Sequence, residues 1–176
     1  MDQSYQQVAH AYGFFCTGCE TSCCETRFYH HTLIEYFYLR KGFLALDIYR
    51  QEKNLLHAAV VLKGYRTADE RQNSVRIPCP LNQNGQCVIY PYRPMICRLH
   101  GIPHEFQKPE GKNIYGPGCD PFNRQCRDAR YKKFDRTPFY RQMASLEQEL
   151  RQSIGVYDKF KMTIAEMLLL ESDIAP

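Results

Sequence analysis

Tryptophan is absent from the 176 residues, and so is any apolar run approaching the roughly 20 residues that a membrane-crossing helix needs. The second absence excludes a helical span. The first leaves aromatic bulk to 13 tyrosines and 10 phenylalanines, and many of those tyrosines are expected half-buried with wet hydroxyls. No early stretch has the apolar centre of a signal peptide, since residues 1–10 are polar. The expectation is a cytoplasmic protein without a membrane partner, in a compartment that keeps thiols reduced. A concentrated basic patch is missing too. The formal charge of +4 is scattered, and its densest run, Arg127 to Lys133, contains Asp128, which argues against a nucleic-acid partner. There is no glycine-rich nucleotide loop, no internal repeat and no low-complexity linker.

What the chain does have is cysteine, nine of them. Cys16, Cys19, Cys23 and Cys24 crowd into one stretch, FCTGCETSCCET, from Phe15 to Thr26. Cys79, Cys87, Cys97, Cys119 and Cys126 follow. An odd count, with two cysteines adjacent, fits poorly with a disulfide framework, because neighbours bridge each other only with strain. Clustered thiols under reducing conditions read as metal ligands.

The 176 residues fit one domain with a real core, mainly α with a short β-hairpin, its cysteine-rich loops pinned by metal between helices. Val8, Tyr12 and Phe15 recur at helical spacing in a short lead-in. Thr32-Leu-Ile-Glu35 forms a capping box opening a helix that Gly42 is expected to stop. A longer helix is predicted from about Leu44 to Lys63, apolar at Leu46, Tyr49, Leu56, Ala59 and Val60, with Gly64 as a left-handed cap. Thr67 to Ile77 reads as a loop. Asn84-Gly85 signals a hairpin that folds Pro80-Leu81 back toward Cys87-Val88-Ile89, and Pro91 and Pro94 end regular structure there. Residues 101–126, rich in Gly and Pro, read as an ordered loop. Thr137 caps a helix with Pro138 at its first position, striped by Phe139, Met143, Leu146, Leu150 and Ile154 and ended by Gly155. Thr163-Ile-Ala-Glu166 is a second capping box, opening the last helix.

A C-x2-C step lets two sulfurs grip one ion, whether zinc or the iron of an iron–sulfur cluster. Cys23 lies one helical turn beyond Cys19, so Cys16, Cys19 and Cys23 can share a centre while Cys24 points elsewhere. The adjacent pair therefore suggests two metal sites, or one polynuclear site. Eight thiolates make two four-sulfur centres, with Cys126 left as a small buried hydrophobe. Arg93 and Arg98 flank Cys97 and are candidates to offset the thiolate charge. His100 and His104 lie near the second block as a possible ligand or hydrogen-bond donor to sulfur. His30-His31 reads as an approach to a helix, and His10 and His57 as residues on helical faces.

The blocks CTGCETSCC and CPLNQNGQCVIYPYRPMICR, the Cys119 loop and the late KMTIAEML resemble the CxxCxxCC cysteine-cluster family of the YkgJ type, described as zinc- or iron-chelating proteins. The likeness spans roughly residues 10–125 and the last helix. It implies a metal-binding set of Cys16, Cys19, Cys23, Cys24, Cys79, Cys87, Cys97 and Cys119. Three residues, Glu20, Thr21 and Ser22, precede the cysteine pair where the family's name describes two, which shifts the pair relative to Cys19. Some members are linked to flagellin lysine methylation. That activity is not carried over, since neither a nucleotide loop nor a C-x3-C-x2-C order is present.

Three functions compete. The leading one is a metal-cluster protein, with a 4Fe-4S centre ahead of zinc, acting in electron transfer, cofactor maturation or metal handling beside a redox or maturation protein partner. The second is a structural zinc module that shapes a protein-binding surface, for which the Tyr36-Phe37-Tyr38 run would be the face unless it packs in the core. The third is an enzyme with an open metal site, for which Glu20, Glu25 and Asp120 are the nearest acids. The balance is against enzyme function.

Overall fold

The structure is a computed structural model that describes residues 1–15 and 23–170. Seven helices lie among the described residues, in chain order α1 (Asp2–Tyr12), α2 (Leu33–Leu44), α3 (Ile48–Glu70), α4 (Met95–Leu99), α5 (Asp120–Gln125), α6 (Thr137–Ile154) and α7 (Ile164–Leu169). Two antiparallel hairpins complete it: β1 (Asn82–Gln83) with β2 (Gln86–Cys87), and β3 (His104–Gln107) with β4 (Asn113–Gly116). No described helix is long and apolar enough to cross a membrane.

Apolar side chains bury in two clusters. The larger joins Leu33, Tyr36, Leu39 and Phe43 of α2 to Ala58, Val61 and Tyr65 of α3 and to Ala165, Met167 and Leu168 of α7, and it takes in Leu81 and Ile89 from around the first hairpin. The smaller gathers Ala9, Phe14, Met95, Leu99, Ile102, Phe122 and Phe134. Helix α4 belongs to the smaller cluster. Met95 and Leu99, one turn apart, face the smaller cluster, which leaves Cys97 between them for another side.

Side chains close the start of α2. The Glu147 carboxylate, on α6, accepts from the backbone N–H groups of Leu33 at 2.9 Å and Ile34 at 3.1 Å. The Thr32 hydroxyl accepts from the Glu35 N–H at 3.2 Å. Three of the four N–H groups that a helix start leaves without helical partners are thereby satisfied. Glu35 does not reach back to complete a capping box. Its Oε1 accepts instead from the Met95 N–H at 3.0 Å and so anchors the start of α4. Thr163 and Glu166 do form the reciprocal box that opens α7.

Several expectations are corrected. Gly42 does not stop α2. The helix runs two residues further, and a β-carbon at Gly42 would come within 2.4 Å of the Tyr92 ring, so the glycine is there for close approach. Gly64 likewise sits inside α3, against Ile77, and Asp47 caps that helix through the Arg50 N–H. The buried face of α3 is Asn54, Ala58, Val61, Tyr65 and Ala68, whereas Tyr49, Leu56 and Val60 are exposed. The apolar stripe read from the sequence is thus on the wrong side, since neighbours and not residue type choose the face. At the first helix, Gly13 turns left-handed at φ 68°, sending Phe14 inward and Phe15 out. Residues 104–116 form a hairpin where a loop was expected. Glu105 donates its N–H to Phe134 O and accepts from the Arg136 N–H, so chain distant in sequence adds a parallel bridge to its outer edge. The Asn84-Gly85 hairpin is as predicted, with both central residues at positive φ, 52° and 81°. Gly155 caps α6 in the left-handed region. Tyr36 is core, and Tyr38 donates its hydroxyl to Pro91 O.

Candidate metal centre

Four thiols from three separate parts of the sequence border one cavity of about 440 Å³. Cys24 comes from a 3-10 turn spanning Cys23–Glu25, Cys79 from three residues before β1, Cys87 from β2, and Cys97 from α4. Each position has a local cause. The Cys79 N–H donates to Cys24 O at 2.6 Å and the Asn82 N–H to Cys79 O at 2.9 Å, which ties the first block to the hairpin. Downstream of Cys24, Arg27 pairs with Asp69 through both guanidinium nitrogens, at 2.6 and 3.0 Å, and lies over the Tyr65 ring. The segment is thereby pinned to α3. Glu35 holds Met95, two residues before Cys97.

The hairpin presents its sulfurs in a repeated way. Cys79 sulfur accepts a backbone hydrogen bond from Leu81, and Cys87 sulfur accepts one from Ile89, two residues on in each case. Such N–H donors favour a thiolate. Burial opposes it. It pushes Cys79 well above the ordinary thiol range and raises Cys87. Cys97 is pushed up to about 12, first by burial and then by the charge that Cys24 and Cys87 would carry. The thiols are therefore electrically coupled, each resisting the ionisation of the others. A cation among them reverses that logic.

Arg93 and Arg98 part company. Arg93 lines the cavity, with its guanidinium 3.4 Å from the Tyr90 ring centroid, and its charge lowers Cys87 and Cys97 against the effect of burial. Arg98 faces away. It donates to Asp2 and to the carbonyls of Arg93 and Pro91, tying α1 to the proline turn.

The other predicted ligands lie elsewhere. Cys16 and Cys19, with the side chain of Cys23, lie outside the described residues. Cys119 is not among the residues lining the cavity. It packs at the smaller core cluster with its N–H on Gly101 O at 2.9 Å, beside Phe14 and Phe122, whose rings meet at 5.3 Å. Cys126 donates to Tyr12 O in the same cluster. His100 packs edge-on to Phe28, and burial with the Arg136 charge lowers it. His104 is lowered to about 4 by the same two causes. Neither histidine lines the cavity. Among the described residues, no three His, Cys, Asp or Glu side chains converge on one metal-binding point. The thiols surround a space instead.

One lining residue had been read only as an approach to a helix. His30 borders the cavity at 1% exposure. Its burial comes from an antiparallel bridge to Met162, a pairing across the chain that no local pattern announces. Glu35 beside it is raised by burial, but its contacts with His30, Thr32 and the Met95 N–H more than compensate and leave it below the ordinary carboxylate value.

No family model, curated protein or solved structure matches this chain.

Proposed function

We propose that this is a thiolate metal-binding protein of the CxxCxxCC cysteine-cluster kind, whose centre is held at the cavity walled by Cys24, Cys79, Cys87 and Cys97. The observation that carries the reading is the placement of these four cysteines, from three sequence-distant segments, around one cavity. The donors are soft, which suits iron–sulfur clusters and zinc over hard cations. A volume of about 440 Å³ far exceeds one water's share of roughly 30 Å³, so there is room for more than a single ion. The adjacent cysteines Cys23 and Cys24 suit a polynuclear iron–sulfur centre in it. Two backbone N–H donors and Arg93 are the protein's means of stabilising thiolate charge there. Cys16, Cys19 and Cys23, from the same sequence block as Cys24, complete the donor set, and Cys119, packed at the smaller core cluster, stays outside it. A cluster would supply one-electron chemistry, and the role that follows is electron transfer, cofactor maturation or metal handling in the cytoplasm with a protein partner.

A second reading is structural zinc. It is favoured by the way the cavity joins the first cysteine block, the first hairpin, α4 and the start of α7, since an ion closing it would staple all four. Anaerobic purification with metal analysis and optical spectroscopy separates the two. A brown protein holding iron and sulfide supports the cluster. A colourless protein with stoichiometric zinc, redox-silent and unfolded by chelation, supports the staple. Protein that takes up neither metal, or that retains all its metal when Cys79, Cys87 and Cys97 are each changed to Ser, would sink the metal reading altogether.

A further inference from the structure

We infer that His30 is the nitrogen donor of this centre and that Glu35 positions it, an inference that rests on the metal reading of the cavity. The His30 N–H donates to Met162 O at 2.8 Å, and the Met162 N–H donates to His30 O at 3.0 Å. This exchanged pair fixes the backbone just before α7 and leaves the imidazole inside. Among the described residues, neither ring nitrogen has a hydrogen-bond partner. An ordinary core histidine settles its buried nitrogens on carbonyls or hydroxyls, because each buried polar atom left without a partner costs about 1–3 kcal/mol. Here Nδ1 has a carboxylate nearby, and Nε2 has no hydrogen-bond partner among the described residues. Nδ1 stands 3.6 Å from Glu35 Oε1, beyond a full hydrogen bond but within reach of a small adjustment.

Glu35 is itself held. Its Oε2 accepts from the Thr32 hydroxyl at 2.8 Å and its Oε1 from the Met95 N–H at 3.0 Å. The carboxylate attracts the imidazole proton to Nδ1, and Nε2 is then left with the lone pair. A neutral imidazole with its far nitrogen directed by a carboxylate is the usual state of a metal-bound histidine. His30 lines the same cavity as the four cysteines, so residues carrying sulfur and nitrogen donors border one space. The centre is accordingly of mixed sulfur–nitrogen type.

X-ray absorption of the zinc-loaded wild-type chain tests this without any substitution. A metal shell of sulfur plus one nitrogen scatterer is expected, and an all-sulfur shell overturns the inference while leaving the metal reading intact. Failure of the wild type to bind zinc, cobalt or iron overturns the metal reading and this inference with it. Cobalt(II) provides a second readout. His30→Ala should shift the d–d bands toward those of a sulfur-only site, whereas an unchanged spectrum in a folded variant counts against His30. Glu35→Gln should weaken cobalt binding by about 10–100-fold and broaden the same bands. Equal affinity and an equal spectrum would remove Glu35 from its positioning role.

Discussion

His104 carries a charge history that can be read in acid. Burial and the Arg136 guanidinium lower its imidazole to about 4, against 6.5 for an unburied histidine. As pH falls, the unfolded chain takes up this proton first, so stability is full above about 6.5 and is lost on the way down to about 4. Denaturant midpoints measured across that window should decline in the wild type and decline less in His104→Gln. Parallel slopes would show that other groups account for the loss. Gly116 makes the site possible, since a β-carbon there would come within 2.2 Å of the imidazole ring. Gly42 is the comparable case on α2. Its helical backbone tolerates alanine, but the Tyr92 ring does not leave room for the methyl group. Gly42→Ala should cost about 1–3 kcal/mol by overpacking, measured as a lowered midpoint, despite alanine's better helix propensity. Both glycines are visible in the sequence, but what they pack against is not.

Helix starts and faces are the next level. Glu147, on α6, is buried at the start of α2 and paired with Arg151 at 2.6 Å. Glu147→Gln keeps the shape and exchanges one anionic acceptor for an amide, leaving two helix N–H groups poorly served. Destabilisation of about 1–3 kcal/mol is expected, with amide exchange of Leu33 and Ile34 accelerated ahead of the rest of α2. On α3, opposite outcomes are expected from its two faces. Leu56→Lys, at 72% exposure, should change stability by no more than about 0.5 kcal/mol. Val61→Ala, in the core, should cost about 1–3 kcal/mol. The reverse order would restore the face that the apolar stripe suggested. The Thr163–Glu166 capping box, the Asn-Gly turn and the Gly155 cap were legible because each is a local motif whose energetics close within a few residues. The α3 face and the second hairpin were not, because Asn54 and Ala58 are buried only by what packs on them and β3 pairs with residues near 135.

Across the whole molecule, the first hairpin, α4 and the Cys24 segment meet at the cavity, while α2, α3 and α7 share an apolar core. On the metal reading, chelation should raise amide exchange in residues 79–97 and around Cys24 before it affects the interior of α3. Uniform exposure of all helices at once would mean that metal and core form a single cooperative unit. The sequence by itself determined the chemistry on offer: nine cysteines in blocks, a mainly helical chain with a hairpin between two of them, and glycine and threonine marks at several element ends. Those follow from side-chain type and near-neighbour spacing, which need no knowledge of what lies across the fold. Only the tertiary structure decided which thiols share a space. Cys24, Cys79, Cys87 and Cys97 do, Cys119 and Cys126 go to the other cluster, and Arg93 faces the sulfurs while Arg98 turns to Asp2. It also brought in His30, through a two-bond bridge to residue 162. Convergence depends on backbone pairings and packed faces between segments far apart in the chain, and their energies are set by the partner as much as by the residue.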